Sequence, residues 1–166
     1  MKAEMVRRLT AEDGVEYFAL RQEALTREPG AFGSSPDDDR FRSVEAVREM
    51  LRDPSHLVIG VFTTELAGAV GVRREMRAKL RHKAVLWGMY VRADYRRQGF
   101  GRRLVEEAIR VARQDGVVQL HLTATERAAA ARALYESLGF VVWGVEPSGL
   151  RVQGQDLAEH HMVLRL

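Results

Sequence analysis

A chain of 166 residues, 46% of them hydrophobic and 30% charged, is large enough to fold as one domain, expected over residues 1–166 and burying about 70% of its unfolded surface. Without cysteine it has no disulfide, no thiolate metal site and no cysteine acyl-enzyme, and its apolar runs are too short to span a bilayer. A net charge of +3 suits a polyanionic small ligand as well as a nucleic acid, so charge selects neither. The opening run Met1-Lys2-Ala3-Glu4-Met5 lacks the apolar core of a signal peptide, and a cytoplasmic location is expected.

Residues 5–9 read as a first edge strand. Thr10 before Ala11-Glu12-Asp13 is a helix-start signal. Val15, Phe18, Ala19, Gln22 and Leu25 keep a helical period, which predicts a helix over residues 11–27 that Pro29 and Gly30 end. A turn-rich acidic loop follows, with Asp37, Asp38 and Asp39 at its end. Ser43 caps a second short helix whose Val44, Val47, Met50 and Leu51 face inward, and Asp53-Pro54 closes it. The β-branched runs at 57–62 and 66–72 form a hairpin, and Gly68 and Gly71 in its second strand point to a bulge or close packing. Basic residues crowd residues 73–83, readable as a solvated hairpin loop or as an anion-binding patch.

The next stretch organises the chain. A β-prone run, Val85-Leu-Trp-Gly-Met-Tyr-Val91, meets charged residues, then Arg96-Arg97-Gln98-Gly99-Phe100-Gly101-Arg102, then a helix with Leu104, Val105, Ala108, Ile109 and Ala112 on one face. A strand, a glycine turn and a helix N-terminus make an anion site. The first-turn N–H groups lack helical partners, the dipole favours negative charge, and glycine lets a ligand approach the backbone. Arginine side chains add charge at the same place. No Walker sequence is present, and the third glycine of a dinucleotide fingerprint is replaced by Leu104. Further strands are read at 117–123, 141–145 and 159–166, with an alanine-rich helix over 126–137 and a polar loop over 147–156.

The Arg96-x-x-Gly99-x-Gly101 turn resembles the Q/R-x-x-G-x-G/A signature of the GCN5-related N-acetyltransferases, and Leu134-Tyr135-x-x-x-Gly139-Phe140 resembles a second motif of that family. The order β-α-α-β-β-β-α-β-α-β-β matches the family over essentially the whole chain. The resemblance implies an α/β (α+β) acyl-CoA N-acyltransferase fold, a mixed and mostly antiparallel sheet of six to seven strands flanked by about four helices. It also implies acetyl-CoA as co-substrate, with its pyrophosphate on Arg96, Arg97, Gln98, Gly99, Phe100, Gly101 and Arg102. Its pantetheine arm and thioester would lie along Met89, Tyr90 and Val91, where a backbone N–H polarises the carbonyl, and Gly88 would let the strand bulge open. Tyr135 would be the proton donor to the departing thiolate.

Two positions depart from the family pattern. An asparagine that often contacts the cofactor is replaced by Ala128, and the glutamate base of the ribosomal-protein-acetylating branch is replaced by Thr123. Transfer would be direct, in a ternary complex, to a small-molecule or peptide amine. Glu23, Glu28, Glu159 and His160 are candidate bases, and of the neighbours His160 and His161 only one can face inward from a strand. No metal, nucleic acid or membrane partner is expected; a homodimer through the final strands is a family feature. The acceptor pocket is expected between residues 28–41 and 147–159, with Trp87 and Trp143 in its lining or in the core. The alternative activity is acyl-CoA sensing without turnover.

Overall fold

The computed structural model describes residues 4–166; Met1, Lys2 and Ala3, at the head of the segment read above for a signal peptide, lie outside the described residues. The elements run β1 (Met5–Arg8), α1 (Gly14–Arg27), α2 (Val44–Arg52), β2 (His56–Phe62), β3 (Leu66–Arg74), β4 (Lys83–Val91), α3 (Phe100–Gln114), β5 (Gln119–Thr125), α4 (Ala129–Ser137), β6 (Val141–Val152) and β7 (Gln155–Arg165). That is the order read from the sequence. Ser43 caps α2 as expected, its hydroxyl accepting the Ala46 N–H at 3.1 Å.

Three of the boundary differences have an identifiable physical reason. Residues 11–13 form a 3-10 turn before α1, held by the Asp13 carboxylate, which accepts the Thr10 N–H at 2.7 Å and pairs with Arg7 at 2.7 Å. The fourth helix starts at Ala129, not at residue 126. Glu126 instead bonds to β7, donating its N–H to the Ala158 carbonyl and accepting the Ala158 N–H, both at 2.9 Å. The loop expected over residues 147–156 is mostly strand. β6 runs through it to Val152 and turns at Gln153-Gly154, whose φ values of 51° and 77° suit a tight hairpin. A register irregularity between Glu146 and Leu150 absorbs Pro147, which has no N–H for the ladder.

The strands form one sheet in the order β1-β2-β3-β4-β5-β7-β6, and only the β4–β5 step is parallel. α3 is the crossover between those two strands, as parallel neighbours require. The buried face of α3 (Phe100, Leu104, Val105, Ala108, Ala112) packs with Ile59, Val70, Leu86, Leu120 and Met162. Tyr17, Leu20 and Ala24 of α1 and Val47 and Met50 of α2 pack with Val58, Leu66 and Tyr90 in a second cluster. Each fully buried leucine in these layers contributes roughly 1.5–3 kcal/mol. Among the described residues no helix is long and apolar enough to cross a membrane.

Two irregularities open the sheet at its centre. β4 and β5 pair only at Lys83–Gln119, Ala84–Leu120 and Val85–His121, then run on unpaired with each other to Val91 and Thr125. In the same span β4 bulges against β3: Tyr90 lies opposite Ala69 and Trp87 opposite Gly71, so Gly88 and Met89 share Val70 as their neighbour. Gly88 has φ +61°, the left-handed conformation that glycine tolerates. Gly71 makes room for Trp87: a Cβ there would sit 2.3 Å from the indole Cε2.

Candidate functional site

The notch between the diverging strands continues into a cleft of about 650 Å³. One wall is β4 at Met89, Tyr90 and Val91, and another is Ala128 with α4 at Ala131 and Leu134. Its floor is the turn Arg96, Arg97, Gly99 and Gly101 that opens α3. Gly99 caps α3 with φ +80°, and a Cβ placed on it would meet nothing within 4 Å, so it opens onto free space. The first-turn N–H groups of Phe100, Gly101 and Arg102 find no protein acceptor among the described residues. Three guanidinium groups line the cleft: Arg96, Arg97 and Arg127. Arg96 is held at its mouth by Glu28 at 2.9 Å and by the Val91 carbonyl at 2.9 Å. Oriented donors, a dipole and cationic side chains thus converge on one end of the cleft, an arrangement for a multiply charged anion.

At its inner end the cleft adjoins a cavity of about 80 Å³, lined in part by Phe32, Trp87, Met89, Thr123, Ala128 and Tyr135. Tyr135 projects from α4 and is 6% exposed. Its hydroxyl donates to the Met89 Sδ at 3.7 Å, and burial pushes its pKa well above the ordinary value. It is therefore a phenol that stays protonated beside the strand notch.

Of the residues singled out from the sequence, Met89, Tyr90, Val91, Arg96, Arg97, Gly99 and Gly101 line the larger cleft, and Tyr135 lines the adjoining cavity. Three side chains of the same turn point elsewhere. Phe100 is 1% exposed and packs on Tyr95, Gln98 donates to the Asp94 carbonyl at 3.1 Å, and Arg102 donates to the Ser137 hydroxyl at 2.7 Å. Of these three only Phe100 is buried, so it alone offers a ligand nothing but its backbone.

The candidate bases separate as well. Glu23 is tied to the Tyr90 hydroxyl and to Arg92, each at 3.0 Å. Glu28 pairs with Arg96, and His160 lies against Arg132 of α4 at 2.8 Å. Glu159 lies beneath the irregular part of β6, where a Cβ on Gly149 would stand 2.8 Å from its side chain. Burial raises the Glu159 carboxyl, Glu146 raises it further, and His161 works against both. The acidic run of the α1–α2 loop divides: Asp39 is buried and bonded twice by Arg21 at 2.6 Å, while Asp38 accepts the Ser35 N–H. Trp87 is half-buried over Phe41 and His56, and Trp143 is 61% exposed. Phe32 and Arg127 escaped the sequence reading, because neither lies in a motif and only the folded loop and the β5–α4 turn bring them to the cleft.

A sheet split beside its one parallel pair, with a glycine-capped helix at the split, defines the acyl-CoA N-acyltransferase class of fold. The chain belongs to the acetyltransferase (GNAT) family, whose sequence model matches residues 17–140. An acetyltransferase of that family from Streptococcus pneumoniae superimposes with a TM-score of 0.85 at 24% identity, over 99% of this chain and 100% of that one. A Salmonella typhimurium protein of the acetyltransferase type, solved with its cofactor acetyl-CoA, gives 0.83 at 21% identity over 99% and 94%. In sequence, the [ribosomal protein bS18]-alanine N-acetyltransferase of Escherichia coli K12 is 48% identical over 58 residues. That match spans 35% of this chain and 39% of the enzyme.

Proposed function

We propose that the chain, as one catalytic domain, transfers the acetyl group of acetyl-CoA directly to a primary amine of a small molecule or peptide. The observation that carries this reading is the continuity of the cleft, from the Gly99-capped helix to the Tyr135 hydroxyl, along the unpaired half of β4.

The residues fit such a ligand. Gly99 leaves an open cradle at the helix N-terminus, where the free N–H groups with Arg97 and Arg127 would hold the pyrophosphate. The free edge of β4 at Met89–Val91 would pair with the amide-bearing arm, and a backbone N–H there would stabilise the thioester oxygen as charge develops on it. Acetyl-CoA supplies an activated acyl group with a thiolate leaving group. Tyr135, protonated and excluded from bulk water, would hold its proton at the departing sulfur. Ala128 lies in the cleft where the family often places an asparagine, so that contact is absent and the remaining polar groups bear the binding.

The acceptor would enter opposite the pyrophosphate, between the α1–α2 loop and the β6–β7 hairpin. The E. coli relative acts on a ribosomal-protein alanine by its name. Thr123, standing where that branch carries its glutamate, argues against transferring its acceptor to this chain. Self-association is part of the same reading, because the edge strand β6 exposes Val141, Trp143 and Val145.

A panel of amines assayed for release of free CoA thiol, with calorimetry for acetyl-CoA, tests the proposal. Turnover with at least one amine class is expected. Tight acetyl-CoA binding with silence across the panel would favour a sensing role, and no binding would refute the cofactor assignment.

A further inference from the structure

An acceptor amine enters as an ammonium ion, which has no lone pair, so a base must take a proton before the N–C bond can form. The four carboxylate and histidine candidates read from the sequence are engaged elsewhere or lie away from the inner cavity. The sheet register brings a different group into place. Thr123 of β5 lies opposite His161 of β7, and cross-strand neighbours of this kind put their side chains on one face. His161 in turn lies opposite Gly144 of β6, two residues before Glu146. The contacts form a line: Thr123 Oγ1 is 3.4 Å from His161 Nδ1, and His161 Nε2 is 3.1 Å from the Glu146 carboxylate. The indole of Trp143 covers the imidazole at 5.4 Å between ring centroids. Thr123 is itself part of the lining of the 80 Å³ cavity, together with Met89 and Tyr135.

We propose that His161 is the general base for the acceptor amine, reached through the Thr123 hydroxyl and held in the required tautomer by Glu146. The inference rests on the acetyltransferase reading. A carboxylate can only accept, so the bond to Glu146 assigns the ring proton to Nε2 and leaves the Nδ1 lone pair facing Thr123. The threonine hydroxyl then donates to Nδ1 and keeps its own lone pairs for an N–H of the acceptor. A threonine is too weak a base to retain a proton, but it can accept one while passing its own onward.

The step balances. The ammonium gives a proton to Thr123 as the threonine proton moves to Nδ1. The freed nitrogen pair attacks the acetyl carbon, and the C–S bond breaks with its electrons on sulfur. Tyr135 protonates that sulfur and regains a proton from the nitrogen as the amide forms. The products are the amide, CoA–SH and an imidazolium that releases its proton to water. The charged groups facing that imidazolium are Glu146 from β6 and Glu159 from β7, with Thr123 of β5 and the Trp143 ring completing its surroundings.

The test uses the full chain with its fastest amine, measuring kcat, KM and their pH profiles for H161A, H161Q, E146Q and T123V, with acetyl-CoA affinity by calorimetry. H161A is expected to lose about 10²- to 10³-fold in kcat, to lose the acid limb of the profile, and to regain at least about tenfold with added imidazole, while acetyl-CoA affinity holds. E146Q should lower kcat, because the ring loses the acceptor that fixes its tautomer, and T123V should lower kcat with the limb retained. H161Q, which keeps the packing, carries the test if H161A does not fold. An active wild type whose H161A and H161Q variants keep their rate and acid limb overturns the assignment alone. A wild type silent with every amine overturns the acetyltransferase reading and this inference with it.

Discussion

Replacing Tyr135 by phenylalanine should move activity and stability in opposite directions. The hydroxyl is buried, and its hydrogen-bonding neighbour is a thioether sulfur at 3.7 Å, a weak acceptor. A buried hydroxyl without a good partner carries a desolvation penalty of about 1–3 kcal/mol. The substituted phenyl ring would keep the edge contact with Phe140, 5.7 Å between centroids in the wild type, while shedding that penalty. The variant should therefore be as stable as the wild type or more stable by about 1 kcal/mol, a rise of roughly 2–4 °C in Tm for a domain of this size. Catalysis should suffer instead. Loss of a positioned proton donor lowers kcat by about 10²-fold or more, roughly 3 kcal/mol in the barrier. Melting curves, thiol-release kinetics and calorimetry on one preparation separate the two effects. A variant that melts lower and turns over at the wild-type rate would make Tyr135 a packing residue and refute the reasoning.

Gly99→Val probes the opposite end of the cleft. Its left-handed backbone should cost about 1–2 kcal/mol of strain, with no protein atom within 4 Å to clash. Acetyl-CoA binding should be lost in calorimetry, because the new side chain fills the cradle, and retained affinity would remove the pyrophosphate from this turn. His56 gives a pH prediction. The ring is buried with its Nδ1 unpartnered among the described residues, and burial, followed by the weaker influence of Arg40 and Arg73, lowers its pKa below the ordinary 6.5, against an upward pull from Asp53. The unfolded chain therefore takes up a proton near 6.5 that the folded chain resists, so stability is full above that value and falls as pH drops below it. In denaturant titrations at pH 7 and pH 5, His56→Phe should lose less stability between the two than the wild type; an equal loss would refute the assignment.

The sequence disclosed most where one residue type answers one local demand. Gly99 in the turn before α3, Ser43 at a helix cap and the apolar period of α3 are each settled by neighbours within a turn, and each stands where it was read. Gly88 was legible as a bulge because a glycine inside an apolar strand has few other uses. What escaped depends on contacts between distant segments. Residues 126–128 have good helical composition, yet the bonds between Glu126 and Ala158 draw them out of α4. Pro147 and Gly149 suggested a loop, but a register shift carries them within β6. The partition of His160 and His161 was visible as alternation, but which ring faces Thr123 follows only from the β5–β7 register.

The opening in the sheet sets an unpaired strand edge beside a helix N-terminus. β4 is hydrogen-bonded to β3 along its length, but beyond Val85 its other edge has lost β5, whose own far edge is taken by β7. Backbone N–H and C=O groups left unpaired inside a protein carry a penalty unless water or a ligand meets them. Such an edge suits a ligand that itself bears amides along an extended arm, because that ligand can complete the ladder. The same crossover that makes β4 and β5 parallel also brings the N-terminus of α3 to the end of the exposed edge. A single connection therefore supplies both an unpaired strand edge and a free helix N-terminus to one cleft. The acceptor side has no comparable single origin. In the proposed reading it is assembled from β5, β6 and β7 side chains, so it can vary while the donor side stays fixed, and a family sharing this fold can serve many amines.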